Sequence, residues 1–341
     1  MKIFITGGAG FIGTNCAQHF LDRGHAVTIF DNLSRKGGRP NLDWLFENHG
    51  RTSLRFIEGD VRSYDWLVEA IQGSNAVIHL ASQVAVTTSV QDPRKDFEIN
   101  ALGTFNVLEA VRNHCPDAAV LYASTNKVYG GLEAVRIQEQ ETRYTFADYT
   151  QGIPESYPLD FHSPYGCSKG AGDQYIIDYA RIYGLKTLSF RQSCIYGPRQ
   201  FGVEDQGWVA HFLIAACMDR PIYIYGDGKQ VRDLLHVSDL IRAYQTGLEN
   251  IHEVSGQAIN LGGGPDNTLT IWSEFRPLLE SIHGRPVNVT YADWRPGDQR
   301  VFIANIQKAK QCLNWEPQIS PQQGIKELYD WVSNNKQLFA G

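Results

Sequence analysis

The first half of the chain alternates short apolar runs with longer stretches in which apolar residues return every three or four positions. The runs Lys2–Thr6, Ala26–Phe30, Leu54–Glu58, Ala76–Leu80, Ala119–Ala123 and Thr187–Arg191 predict strands. The periodic stretches Phe11–Arg23, Pro93–His114 and Pro164–Tyr183 predict helices between them. Strands that are apolar throughout, joined by crossover helices, bury both faces of a sheet. The pattern therefore predicts an α/β, doubly wound parallel sheet of the Rossmann type.

Beyond Arg191 the alternation loosens. The loop YGPRQFG (196–202) leads to an apolar helix Trp208–Met218, a strand Ile222–Tyr225 and the turn GDGKQ (226–230). A helix Val237–Glu249, a strand-like AINLG (258–262), and helices near Ile271–His283 and Pro321–Asn334 follow. Pro277 is expected to kink the first of these last two. These elements read as a smaller C-terminal lobe interleaved with the first. Between Gly130 and Ser163 no periodic element is legible, and a loop of that length in a compact domain is usually functional. It ends at Tyr165, which favours a lid or a substrate wall.

Composition narrows the class. A chain of 341 residues, 43% apolar and 20% charged, builds one large or two ordinary globular domains. A net charge of −6 without any basic tract argues against a nucleic-acid partner. No apolar run approaches the ~20 residues of a membrane span. A strand at residues 2–6 leaves no room for a signal peptide. Six scattered cysteines show no spacing for a metal, so no metal is expected. Reduced cysteines and the missing leader point to the cytoplasm.

Two motifs carry chemistry. Gly7, Gly10 and Gly13 stand between the first strand and the first helix, where a backbone free of side chains meets a pyrophosphate at a helix N-terminus. Asp31 ends the second strand, placed to accept the hydroxyls of an adenosine ribose and to repel a 2′-phosphate, which favours NAD over NADP. Arg35 and Lys36, which follow, are the counter-argument. Asp60, after the third strand, is placed to meet the adenine. Residues 1–192 with parts of 226–262 are thus assigned to an NAD-binding domain, and 193–225 with 263–341 to a substrate-binding lobe. Tyr165 and Lys169 lie four apart in HSPYGCSKG, on one face of a helix. An ammonium beside a phenol lowers its pKa from the usual ~10, as a base for alcohol deprotonation requires.

These residues, with TGGAGFIG (6–13), DNLS (31–34), GDVR (59–62), HLAS (79–82), NALGT (100–104), STNKVYG (124–130), YGPRQ (196–200), GDGKQVRD (226–233) and RPGD (295–298), resemble the extended short-chain dehydrogenases/reductases. These are the nucleotide-sugar epimerases and dehydratases. DNLSRKG, ASTNKVYG and DFHSPYGCSKGA are most similar to the branch that inverts carbon 2 of a CDP-hexose of the paratose/tyvelose type. The resemblance implies permanently held NAD, a nucleotide-sugar substrate, and Thr125, Tyr165 and Lys169 as catalytic residues. It places NAD against Gly7, Gly10, Phe11, Ile12 and Gly13, then Asp31, Asn32, Ser34, Arg35, Asp60 and Val61. Leu80, Ala81, Ser82, Gln83 and Asn100 continue that line to Tyr165 and Lys169. It assigns the substrate to Thr125, Asn126, Ser193, Arg232, Arg295 and Arg300. It also suggests a homo-oligomer, dimer or tetramer, through the helix bearing Tyr175, Ile176 and Tyr179.

The chain departs from the family pattern twice. Cys194 replaces a common Asn, so a substrate contact is lost or passes to Ser193 or Gln192. Asn126-Lys127 replaces the Asp-Glu pair of the 4,6-dehydratases, and an amide cannot act as a general acid. Three rivals remain: a UDP-hexose 4-epimerase with the same residues, a non-enzymatic dinucleotide sensor, which the intact Thr125, Tyr165 and Lys169 disfavour, and a net-oxidising dehydrogenase, which would release NADH.

Overall fold

The computed structural model describes residues 1–294 and 299–340. Its central sheet is built from β1 (Lys2–Thr6), β2 (Ala26–Asp31), β3 (Leu54–Glu58), β4 (Ala76–His79), β5 (Ala119–Thr125), β6 (Thr187–Gln192) and β7 (Gln257–Leu261). The order is 7-6-5-4-1-2-3 and every pairing is parallel. The apolar runs are buried because helices cover both faces. Ile3 and Ile5 face one core with Phe20, Leu42 and Tyr244, while Phe4 faces the other with Phe30, Val107 and Ile176. The progression of strand order reverses between β4 and β1, and a crevice opens there beyond the strands' C-terminal ends.

Three expected elements differ in detail. The stretch Pro93–His114 is three consecutive helical pieces, Pro93–Phe97, a π-helical turn Glu98–Leu102, and Gly103–His114. The helix expected from Ile271 starts at Phe275, so Pro277 falls in its first turn, where no intrahelical N–H bond is needed, and it causes no kink. The segment from Gly130 to Ser163 has short elements of its own and lines no part of the main cleft. It contains a hairpin, Ile137–Glu139 with Tyr144–Phe146, and a bridge from Ile153 to Ala304. Leu132, Val135, Tyr144, Phe146 and Ile153 anchor it in the main core. Helices Gly38–His49, Tyr64–Ile71, Val86–Gln91 and Gln307–Leu313 complete the covering.

The smaller lobe centres on the strand Val231–His236. It pairs with Thr268–Thr270, Val301–Phe302 and Cys194–Tyr196, and Ile222–Tyr225 pairs with Val289–Ala292 nearby. Helices Trp208–Cys217, Phe275–His283 and Pro321–Asn334 close over an aromatic core that includes Phe212, Trp272 and Phe275. No helix among the described residues is long and apolar enough to cross a membrane.

Candidate active site

The crevice at the switch point is a deep cleft floored by the glycine turn. Gly7 has φ +68°, and a Cβ there would meet the Ala81 nitrogen at 2.7 Å. A Cβ on Gly13 would overlap the backbone of Gly7 and Gly8, so only glycine lets the helix start this close to the strand. The helix Phe11–Asp22 has no side-chain cap at its N-terminus, so its first N–H groups point into the cleft unclaimed.

At one end of the cleft the Asp31 carboxylate accepts from the backbone N–H of Ala9 (3.0 Å) and Leu33 (2.8 Å). Burial outweighs those two bonds and raises its pKa above the usual carboxylate range. Asn32 donates to Asp60 at 2.8 Å. Burial would raise Asp60, but Arg62, which donates at 3.0 and 2.9 Å, outweighs it and holds the carboxyl down at about 2. Thr6 Oγ1 accepts the N–H of Leu80 and of Ala81, which fixes the strand end where those residues line the cleft.

At the other end stand Thr125, Tyr165 and Lys169. Thr125 closes β5, and its hydroxyl accepts from the Lys127 N–H at 3.2 Å and faces the Tyr165 phenol closely enough to favour the phenolate. Lys169, one helical turn beyond Tyr165, donates to the Ala123 carbonyl at 2.6 Å and sits 4.2 Å over the Tyr122 ring. Burial dominates both groups: it pushes the Tyr165 phenol up to about 12 and the Lys169 amine down to about 7. The expected acidification of the phenol by its neighbour is therefore not a property of the ligand-free cleft. The groups that work to lower the phenol's pKa are the Thr125 hydroxyl and the Arg35 guanidinium. Arg35 reaches across the cleft mouth to bond Gln206, and Thr87 bonds Asp205 at 2.9 Å beside it.

Most of the named residues share this cleft: Gly7, Gly10, Phe11, Ile12, Gly13, Asp31, Asn32, Ser34, Arg35, Asp60, Val61, Leu80, Ala81, Ser82, Thr125, Tyr165, Lys169 and Ser193. Gln83 and Asn100 stand behind its wall. Asn100 donates to the Gln83 carbonyl and to Asp96 and accepts from the Gln83 N–H, bracing the loop that follows β4. Asn126 lies beyond Thr125 in a 3-10 turn, and Lys127 there donates to Gln299 at 3.2 Å. Arg232 is on the lobe strand Val231–His236. Arg300 stacks between the rings of Tyr144 (5.1 Å) and Trp294 (5.4 Å). Arg295 lies outside the described residues. Ser193, the stand-in considered for the missing Asn, gives its hydroxyl to Asp233.

The cleft also uses residues that the motifs did not single out, among them Ser124, Gln200, Gln206 and Gly207. The last three lie in a loop without periodicity; Gln200 ends the YGPRQ motif, and Gln206 and Gly207 belong to no motif. Two buried polar atoms on the cleft, Ser124 Oγ and Gln200 Oε1, have no hydrogen-bond partner. Buried polar atoms are nearly always paired, so these fit a cleft built to be filled by a polar ligand. His79, in contrast, is satisfied between Thr6 and Thr104, and burial drives its pKa down to about 3. Away from the cleft, Glu133, Asp160 and His162 gather at the surface, the imidazole nitrogens 3.7 and 2.9 Å from the two carboxylates.

A doubly wound sheet with an uncapped glycine turn and a Thr–Tyr–Lys set at the switch point defines a nucleotide-sugar short-chain dehydrogenase/reductase. The chain belongs to the family described as GDP-mannose 4,6 dehydratase, whose profile matches residues 4–328. It is 46% identical to the CDP-paratose 2-epimerase of Salmonella typhi over 341 residues, covering 98% of this chain and 100% of that one. Among solved structures it resembles a UDP-glucose 4-epimerase of Thermotoga maritima with UDP-glucose. That likeness has a TM-score of 0.85 at 29% identity and covers 98% of this chain and 100% of the other. It also resembles a Bacillus cereus UDP-glucuronic acid 4-epimerase in complex with UDP-glucuronic acid and NAD. Here the TM-score is 0.84 at 28% identity, covering 99% and 100% of the two chains.

Proposed function

We propose that this protein is an NAD-dependent isomerase that inverts carbon 2 of a CDP-hexose of the paratose/tyvelose kind through a transient keto-sugar. The observation that carries the reading is the meeting of Thr125, Tyr165 and Lys169 at the blind end of a cleft floored by the glycine turn. The full-length similarity to a CDP-paratose 2-epimerase selects the substrate.

Gly7, Gly10 and Gly13 with the helix N-terminus would hold the pyrophosphate of NAD, Asp31 its ribose and Asp60 its adenine side. When bound, NAD would supply the reversible hydride acceptor that inversion through a keto-sugar needs. Tyr165 takes the proton of the sugar hydroxyl and later gives it back. Thr125 donates to the reacting oxygen as charge develops. Lys169, whose amine titrates near neutrality in the free cleft, favours the phenolate whenever it carries its proton. Arg232, Arg295 and Arg300 are assigned to the diphosphate, which must stay anchored while the sugar turns. Asn126 stands where a water elimination needs a general acid, and an amide cannot supply one, so the reading disfavours dehydration.

The domain assignment stays with this reading: residues 1–192 and parts of 226–262 for NAD, 193–225 and 263–341 for the nucleotide-sugar. We place the enzyme in the cytoplasm, where its six free thiols stay reduced. We assign a homo-oligomer, dimer or tetramer, to the helix face bearing Tyr175; Ile176 and Tyr179, expected on that face, are buried in this chain's own core, and the exposed aromatics beside Tyr175 are Phe105 and Tyr183.

Incubation with CDP-paratose, CDP-tyvelose and UDP-glucose in turn, with product analysis by NMR, tests the reading. Interconversion of the two CDP-sugars supports it. Conversion of UDP-glucose to its 4-epimer alone replaces it with the second reading, which the two 4-epimerase structures favour.

A further inference from the structure

Ser124 and Gln200 approach the cleft from different parts of the chain. Ser124 is the penultimate residue of β5, paired in register with Arg191 of β6 and flanked by Ala123 and Thr125. Gln200 follows the lobe strand Cys194–Tyr196. Both line the cleft, and both side chains are more than nine-tenths buried, at 5% and 7% exposed. Each carries one polar atom without a partner, Ser124 Oγ and Gln200 Oε1.

Their chemistry differs, and the difference says what each can bind. The Gln200 amide is oriented: its Nε2 donates to the Ile195 carbonyl at 3.3 Å. A flipped amide would set two oxygens against each other, so Oε1 is the atom left for the cleft. The loop makes room for this placement. Gly207 has φ +73°, and a Cβ there would meet Gln200 Nε2 at 2.6 Å. Oε1 is thus a fixed acceptor and rejects phosphate oxygens, which at neutral pH offer no proton. Ser193, on the same wall, has committed its proton to Asp233 and likewise turns lone pairs outward. Ser124 keeps a hydroxyl free both to give and to accept.

We propose that Ser124 and Gln200 are ligand-positioning residues, with Gln200 Oε1 accepting from an N–H or O–H of the bound ligand and Ser124 Oγ bonding beside it. This rests on the reading of the cleft as an NAD and nucleotide-sugar site. Two sources carry the required donor: the carboxamide of the dinucleotide, and a hydroxyl of the hexose. Neither residue takes part in proton transfer. They hold the ligand at a fixed depth against Thr125 and Tyr165.

The test exploits a property of unpaired buried atoms. Removing one costs the ligand-free protein nothing, since no internal bond is lost, but it costs the complex a bond. Ser124→Ala and Gln200→Leu are each stripped of nucleotide and titrated with NAD alone by calorimetry. The NAD-loaded forms are then assayed for KM and kcat with CDP-paratose. The thermal midpoint of the ligand-free Ser124→Ala form should equal or exceed that of the wild type, while ligand-free Gln200→Leu, which also loses the Nε2 bond to Ile195, should fall by less than its liganded form. Ser124→Ala and Gln200→Leu should weaken one of the two ligands by about three- to tenfold. A loss confined to NAD assigns the donor to the carboxamide, and a loss in KM with NAD affinity unchanged assigns it to the hexose. Unchanged affinity for both ligands overturns the proposal, as does a ligand-free midpoint that falls by as much as the liganded one. A wild-type protein that binds NAD but leaves CDP-paratose untouched refutes the substrate assignment alone, and the NAD titrations still judge the pair. A wild type that binds neither refutes both.

Discussion

Arg191 of β6 and Asp173 form an ion pair, 2.8 Å at its closest, with both side chains almost wholly buried. Asp173 lies on the helix Ser163–Tyr183, one turn past Lys169, and also accepts from Ser189 at 2.6 Å. The pair therefore clamps the helix bearing Tyr165 and Lys169 to the strand that forms the other side of the cleft. Removing one partner of a buried pair strands the other charge. Arg191→Met should cost about 3–5 kcal/mol of stability, read from urea unfolding of the ligand-free protein. A loss below about 1 kcal/mol would show that the clamp is incidental, within the range of exposed pairs.

Tyr165→Phe keeps the ring and deletes the oxygen that moves the proton. The expected fall in kcat is on the order of 10²–10⁴-fold, with NAD affinity close to wild type. Steady-state rates and calorimetric titration are the measurements. A variant that turns over normally would leave the cycle without its base.

Lys169 gives the ligand-free protein a pH signature. Its amine titrates near 7 in the folded chain because of burial, against 10.5 ordinarily. Between those values the unfolded chain holds a proton that the folded chain lacks, so stability rises with pH. The slope from this group alone approaches about 1.4 kcal/mol per pH unit. Lys169→Met should remove that slope, and the difference between wild-type and variant unfolding curves from pH 7 to 9 isolates it. Identical slopes would place the amine's pKa near its normal value.

The proposed contact between copies can be broken without touching the cleft. Phe105 and Tyr175 are exposed and their rings pack edge to face, 5.9 Å between centroids. Phe105→Glu combined with Tyr175→Glu should yield monomers by light scattering, with the far-UV spectrum retained. An unchanged mass would move the contact elsewhere.

Much of this was legible from periodicity and punctuation. The turn at Gly7–Gly13 and the Tyr165–Lys169 helix are local features, written in consecutive residues, and local features survive translation into three dimensions. What was not legible depends on where side chains end up. Lys169 is four residues from Tyr165, but spacing does not reveal that its amine spends itself on the Ala123 carbonyl. Asn100 sits in a family motif, yet its amide is used up behind the wall by Gln83 and Asp96. Pro277 looked like a break because the helix was started four residues early, at Ile271 instead of Phe275. Gln200 and Gln206 belong to a loop with no period, and only the closed chain brings them to the cleft.

The position of β7 bears on how the protein is made. This strand, Gln257–Leu261, closes the edge of the main sheet beside β6, and its Asn260 amide bonds the Ile153 carbonyl. A nascent chain therefore leaves the ribosome with that edge bare until roughly three-quarters of its length is synthesised. During that interval the exposed β6 backbone invites pairing with a neighbouring chain. Production in cells should be sensitive to translation speed and to chaperone supply in a way that the finished molecule's stability would not disclose.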